Sequence, residues 1–270
     1  MAQHPTTGAM SGEPVEASSG WGVLHLFYRV DARRAEDEPS GGKHVLDALD
    51  RLTGDGTHQA LTFVVLGHKA DLGIMALGPD LARLAAFEHD LQRAPLTPSW
   101  SYVSLTELSE YSATEEDERA RLAAEEGLTD PTAVEEGLAA WRERIHHYRE
   151  QRLHPRLPAK RMLCFYPMSK RRDGADNWYR LDFADRKRLM GGHARVGRSY
   201  AGRVLQLITG STGIDDWEWG VTLFGAHPDD LKDCVYEMRF DAASALYAEF
   251  GPFYTGMVGG LDDVLSALGA

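Results

Sequence analysis

Cysteine is scarce. The two present in 270 residues, Cys164 and Cys234, are too few for a disulfide framework and, with no CxxC pair, too few for a thiolate zinc site. Such sparing use fits a reducing, cytoplasmic setting. Positive charge is also short. Lys and Arg number 29 against 41 Asp and Glu, a formal net charge of −12. That balance argues against general nucleic-acid binding and against docking on an anionic membrane. No apolar run is long enough to span a bilayer. The opening MAQHPTTGAMSGEPVEASSG lacks the basic start and apolar stretch of a signal peptide. Its Gly, Ser, Thr and Pro content reads instead as a disordered tail over residues 1–20. With 43% hydrophobic residues, the remainder can bury a sizeable core.

Two similar patterns occupy that remainder. WGVLHLFYRV reads as a strand. KHVLDALDRL follows as a helix, with Val45, Leu46, Leu49 and Leu52 at helical spacing. HQALTFVVLGHKADLGIMALG reads as two strands around a turn. PDLARLAAFEHDLQRA is a helix whose stripe is Leu81, Leu84, Phe87 and Leu91, with Pro79 in its first turn. SWSYVSLTELSEY closes a β-α-β-β-α-β order, the ferredoxin-like split motif, over residues 21–112. Residues 113–159 form a charged helical connector. From residue 160 to 270 the pattern recurs: the strand RMLCFYPM, a helix interrupted at Gly191–Gly192, the strands RVLQLITG and WEWGVTLFG, a short helix HPDDLKDC, a strand VYEMRF, a helix DAASALYAEF and a terminal strand GPFYTGMVGG. The expected architecture is α+β, two ferredoxin-like halves packed as a dimeric α+β barrel, with a pocket under the sheet of one half.

Reactive residue types concentrate in the second half. Three cations, Lys170, Arg171 and Arg172, follow the strand end YPM, and Arg198, Arg203 and Arg239 lie further on. In an acidic chain such a gathering suits a ligand with several carboxylates, which arginine grips in a bidentate way. Two glycines within a helix cost roughly 1 kcal/mol each relative to alanine. Gly191–Gly192 therefore imply a close backbone approach, or a bend that aims His193. A neutral imidazole with an open face is what an iron porphyrin needs on its proximal side.

The runs YPMSKRR, NWYRLDFADRKRLMGGHARVGRSYAG, ITGSTGIDDWEWGVTLF and VYEMRFDAASALYAEFGPFY resemble the coproheme decarboxylases in their actinobacterial form. These are the haem-synthesis branch of the chlorite dismutase superfamily. The resemblance is strong over about residues 160–258 and rests on fold pattern over 21–110. It implies a homopentamer that uses hydrogen peroxide to decarboxylate two propionates of coproheme III to vinyls, giving haem b, the iron porphyrin being substrate and redox cofactor at once. It implies Tyr166 as the radical-forming catalytic residue and His193 as the iron ligand. Met168 and Lys170 would stand beside the reacting propionates, Arg239 and Ser244 would hold a propionate, and Arg198 would do likewise. Chlorite-degrading relatives carry an arginine thirteen residues beyond the proximal histidine. Here that position is Gln206, which lacks the charge to hold hypochlorite. Those relatives also place an acid on the proximal histidine, from a segment aligned here with Ala242 and Ala243, so no acid is expected. A distal base is expected from His146, His147 or His154, with His154 nearest the strand. Transient contact with coproporphyrin ferrochelatase is a further implication. The alternatives are a chlorite dismutase-like or peroxidase haem enzyme, and a non-catalytic haem carrier or regulator.

Overall fold

The computed structural model describes residues 13–31 and 41–268. Residues 1–12 of the expected tail lie outside the described residues. Residues 13–20 run against the body of the protein, where the Val15 N–H donates to Asp80 Oδ1 at 3.0 Å and Glu16 forms a β-bridge with Asp80.

The first half comprises β1 (Gly22–Val30), α1 (Gly41–Thr53), β2 (Gln59–Val65), β3 (Leu72–Gly78), α2 (Leu81–Leu91) and β4 (Leu96–Thr106). Asp80 caps α2 by accepting from the Ala82 N–H at 2.9 Å. Pro79 therefore precedes the cap rather than sitting in the first turn. Two helices follow, α3 (Glu115–Glu125) and α4 (Pro131–Leu153), each started by a side-chain cap, Thr114 and Asp130. The second half holds β5 (Met162–Lys170), α5 (Phe183–Ser199), β6 (Val204–Gly210), β7 (Trp219–Gly225), α6 (Pro228–Met238), α7 (Ala242–Tyr247), β8 (Ala248–Phe250), β9 (Tyr254–Gly259) and α8 (Leu261–Leu268).

The strands form one antiparallel sheet in the order β7-β6-β4-β1-β3-β2-β9-β5-β8, and β5 also pairs with β7. Eight strands thus close into a ring. Most joints within each half are long, as in the register from Met162↔Gly225 to Met168↔Trp219, although β5–β9 pairs over only Met162–Phe165. The joints between halves are short: Leu105↔Gly210 and Thr106↔Thr209 for β4–β6, and Thr62↔Gly259 to Val65↔Gly256 for β2–β9. Pro167, which has no N–H to donate, falls where the edge of β5 passes from β9 (to Phe165) to β8 (from Met168).

Side chains alternate across a strand, and this decides what each face holds. Val23, Phe27, Phe63, Tyr102, Phe165 and Phe224 point into the ring and form a core shared by both halves. His25 is buried with them, stacked on Phe165 at 3.9 Å, and burial pushes its pKa down to about 3, so it stays neutral. The opposite faces meet the helices. In the first half Leu24, Leu26, Tyr28, Leu72 and Ile74 pack under Val45, Leu52, Leu84, Phe87 and Leu91. In the second half Cys164, Tyr166, Val221 and Leu223 face Cys234 and Met238.

Three expectations need correction. The helix read over DAASALYAEF ends at Tyr247, and Ala248–Phe250 pairs with β5 as β8, where Met168 meets Phe250. VYEMRF is not a strand: α6 runs on through Met238, because Leu231, Cys234 and Met238 recur at helical spacing and are all buried. Nor is α5 interrupted at Gly191–Gly192, since it is continuous from Phe183 to Ser199. A Cβ at either glycine would meet nothing within 4 Å among the described residues. The last helix, α8, had no counterpart in the sequence reading.

Candidate functional site

Between the helix layer and the sheet of the second half lies a cavity of about 690 Å³, within the range of roughly 300–1,000 Å³ usual for ligand sites. Strand alternation supplies its floor: Tyr166, Met168 and Lys170 from β5, Gln206, Ile208 and Gly210 from β6, Trp219 and Val221 from β7. Its roof includes Met190 and His193 of α5 and Ser244 of α7. Its rim is the segment Leu105–Tyr111 with Ala17–Ser19.

His193 reaches the cavity with one ring nitrogen already engaged. Its Nδ1 lies 2.9 Å from Asp241 Oδ2 and 3.3 Å from Ser244 Oγ. Asp241 is itself fixed as the cap of α7, where its Oδ1 accepts from the Ala243 and Ser244 N–H groups at 2.9 and 3.1 Å and its Oδ2 accepts from Ser244 Oγ at 2.9 Å. Burial opposes the charge on Asp241, yet the bonds from His193 and Ser244 hold its carboxyl below the usual range. An acid therefore does stand on this histidine, contrary to the expectation drawn from Ala242 and Ala243. The contact fixes the tautomer, with the proton on Nδ1, and leaves Nε2 as a lone-pair donor. Ser244 works on this histidine as well as lining the cavity.

Tyr166 is 4% exposed, stacked on Phe253 at 4.5 Å and tilted against Phe250 at 5.7 Å. Burial raises its pKa strongly, the nearby thiols of Cys164 and Cys234 add to this, and Arg239 opposes it, so the phenol is neutral at any physiological pH. Lys170 is 7% exposed. Its Nζ donates to the Ala243 carbonyl at 3.2 Å and lies 4.4 Å from the centre of the Trp178 ring. Burial pulls its pKa down to about 8, against the pull of Asp241 and Glu218. The loop that carries Trp178 is tied by Glu218, which accepts from the Lys170 N–H at 2.7 Å, from the Tyr179 hydroxyl at 2.6 Å and from Arg172.

The remaining expected residues divide. Gln206 faces the cavity beneath α5, close to where a side chain at Gly197 would lie. Arg198 and Arg239 are exposed and outside the lining; Arg239 stands over the Phe250 ring at 5.0 Å. Nor does the expected distal base reach the cavity. His154 is exposed, with its Nδ1 3.0 Å from Glu150 Oε2 and its ring against Trp21; His146 and His147 lie on the exposed side of α4. The helical turn at the end of α4 sends Arg152 inward instead. Its Nη2 donates to the Ile208 carbonyl at 3.3 Å, and its Nε is buried with no partner among the described residues. Arg152, Asp241, Glu107 and Trp219 went unnoticed in the sequence. Only Asp241 carried a local signal, as an acid directly before a helical AAS run.

An iron porphyrin fits this set. His193 offers one free nitrogen at the roof, the cavity has the capacity, and Arg152, with its orphaned Nε, and buried Lys170 both line it and supply cations for carboxylates.

A family model described as chlorite dismutase matches residues 42–259. The coproheme decarboxylase of Staphylococcus carnosus is 38% identical over 258 residues, 91% of this chain and 94% of that protein. A Natronomonas pharaonis protein named for heme binding is 40% identical over 256 residues, 90% of this chain; the chain spans only 40% of that protein's length. A solved heme-binding protein from Thermus thermophilus matches with a TM-score of 0.75 at 35% identity, covering 96% of this chain and 100% of that one. The chlorite dismutase of Candidatus Nitrospira defluvii matches at 0.68 with 16% identity, over 94% and 97% of the two chains, a likeness of fold alone.

Proposed function

The chain belongs to the chlorite dismutase family, and from that footing we propose that it is a peroxide-dependent coproheme decarboxylase, converting two propionates of coproheme III to vinyls to give haem b. The observation that supports this most is the meeting, in one cavity, of His193 with a free nitrogen, a buried tyrosine, the buried Lys170 and the half-buried Arg152, two cations that can hold carboxylates. When bound, the iron porphyrin supplies the redox chemistry with peroxide. For each propionate, one peroxide and one proton are consumed, and one CO₂, one vinyl and two waters are formed.

The protein's part is positional and protonic. His193, held by Asp241 and Ser244, presents Nε2 to the iron. Lys170 and Arg152 orient propionates. Tyr166 would pass one electron to the peroxide-oxidised group and release its hydroxyl proton, then regain a hydrogen atom from the propionate side chain, which would lose CO₂ and give its second electron to the same oxidant as the vinyl forms. Met168 and Trp178 keep water from that exchange. The test is mass spectrometry of the porphyrin after coproheme and hydrogen peroxide are added to the protein. Two successive losses of CO₂ are expected; an unchanged mass refutes the reading.

Asp241 favours a second reading, a peroxidase-like or chlorite-degrading enzyme, because an acid on the axial histidine makes it a stronger donor. Gln206 counts against chlorite, since it offers no positive charge. Oxygen release from chlorite, with no decarboxylation, would select that reading. By the same resemblance the protein assembles as a homopentamer and passes near coproporphyrin ferrochelatase; light scattering at micromolar concentration tests the first.

A further inference from the structure

Glu107 is built into the cavity wall. It follows β4 directly, at the joint where Leu105 and Thr106 meet Gly210 and Thr209. Its Oε1 accepts from the Trp219 indole N–H at 3.1 Å. Its Oε2 occupies the space that a side chain at Gly210 would fill. Gln206, Ile208 and Gly210 share one face of β6 by alternation, so the carboxyl lies over the cavity face of the strand. The residue as a whole is exposed, yet its carboxyl is desolvated enough by the wall for burial to raise its pKa; the Trp219 bond and Arg152 lower it, and Glu110 raises it. The charged and titratable groups facing it are Arg152 from α4, Glu110 on its own segment, which pairs with Arg186 of α5 at 3.8 Å, and Tyr102 of β4.

The Arg152 guanidinium, which attracts Glu107, is also the group with an unpartnered buried Nε, and it is anchored to Ile208, two residues from Gly210. A ligand carboxylate drawn to Arg152 therefore arrives beside a carboxylate already there. Two carboxylates sharing a site do not both stay ionised without cost, and the usual outcome is that one is protonated. We propose that Glu107 takes up one proton from solvent when a ligand carboxylate docks at Arg152, and then donates it as a hydrogen bond to that carboxylate. Because Oε1 is occupied by the Trp219 N–H, the proton goes to Oε2, the oxygen over the cavity. This rests on the reading of the cavity as a site for a carboxylate-bearing porphyrin, and it makes binding proton-coupled: tighter at lower pH and weaker as pH rises.

The experiment uses the full chain and metal-free coproporphyrin III, which cannot turn over. Calorimetric titration at pH 7 in buffers of different ionisation enthalpy reads proton uptake on binding. The wild type is expected to take up nearly one proton more than Glu107→Gln, and its affinity to fall up to about tenfold per pH unit above neutrality relative to that variant. Gly210→Ala, which keeps the carboxyl but pushes it from the wall, is expected to behave as Glu107→Gln. Infrared difference spectra should show a protonated carboxyl band on binding that Glu107→Gln lacks. If the porphyrin binds with equal proton uptake and the same bands in the wild type and Glu107→Gln, the inference is overturned while the function stands. If the wild type does not bind the porphyrin at all, the functional reading falls and this falls with it.

Discussion

The two halves of the ring share a plan and differ in what lies between helix and sheet. In the first half α2 buries Leu84, Phe87 and Leu91 against Leu24, Leu26 and Tyr28, and the layer leaves a pocket of only about 160 Å³ beside Tyr28 and Glu88. In the second half α5 has no buried residue, and the matching space is a cavity of about 690 Å³. Each half's first strand turns a tyrosine toward its helices. Tyr28 is packed into a core, whereas Tyr166 looks into a cavity. A fold becomes a container here by withdrawing one helix face from its sheet. The lost apolar contacts are offset elsewhere, in the first half and in the aromatic interior of the ring. The wall is left to methionines, which adapt to irregular surfaces, and to polar groups held by their neighbours.

The sharpest way to break the comparison is to remove one oxygen from each tyrosine. Tyr166→Phe is expected to fold and to bind coproheme, yet to make almost no haem b. Tyr28→Phe should leave turnover unchanged; equal loss in both variants, read by product mass, would deny the second half its special role. Next is packing. Phe87→Ala should destabilise by about 3–5 kcal/mol, the usual range for a buried aromatic. Met190→Ala in the cavity roof should cost well under half of that in denaturant unfolding, because no packed layer is emptied.

Buried charge separates the halves by pH. Lys170 titrates at about 8 in the fold against 10.5 ordinarily. Below pH 8 the ammonium is kept in both folded and unfolded states, and its desolvation weakens the fold by at most about 3 kcal/mol. Between 8 and 10.5 the unfolded chain holds a proton that the folded one has shed, so stability rises with pH. The stability advantage of Lys170→Met should therefore shrink across that window when unfolding is followed from about pH 7 to about pH 11. Asp241 tests how the cavity half holds its histidine. Asp241→Asn should weaken iron-porphyrin affinity by about 10–100-fold and shift the Soret band, and on the proposed reading His193→Ala should shift it further by removing the imidazole altogether.

Much of this was legible because it is periodic. Alternation put Tyr166 on one face and Phe165 on the other, and the 3.6-residue stripe of α2 was plain. Local reading failed where a β-rich segment obeys a helix. VYEM has strand-like residues, but Cys234 and Met238 needed partners on Gln206 and α5, and only a helix delivers both. It failed again where geometry spans the chain. Arg152 looks like any charge on a solvated helix until α4 ends beside Ile208. The histidines near it looked apt by type and point the other way. The acid on His193 was sought just too far along the chain, because alignment by residue type ignores that a helix cap aims its carboxylate sideways.

The short joints between halves bear on how the chain reaches its final form. The hairpins β2–β3 and β6–β7 join near neighbours in sequence, whereas Leu105 must find Gly210 and Thr62 must find Gly259. Contacts between distant residues carry the larger loop-closure cost and form late. Each half is thus expected to assemble by itself before the circle is completed. Glu107 comes to Gly210 and Trp219 only at that last event, so competence to bind porphyrin should lag behind the recovery of helical signal in refolding. Maturation of the site is then a report on closure, and a chain with both halves formed but not yet joined would be folded in every local sense and empty-handed.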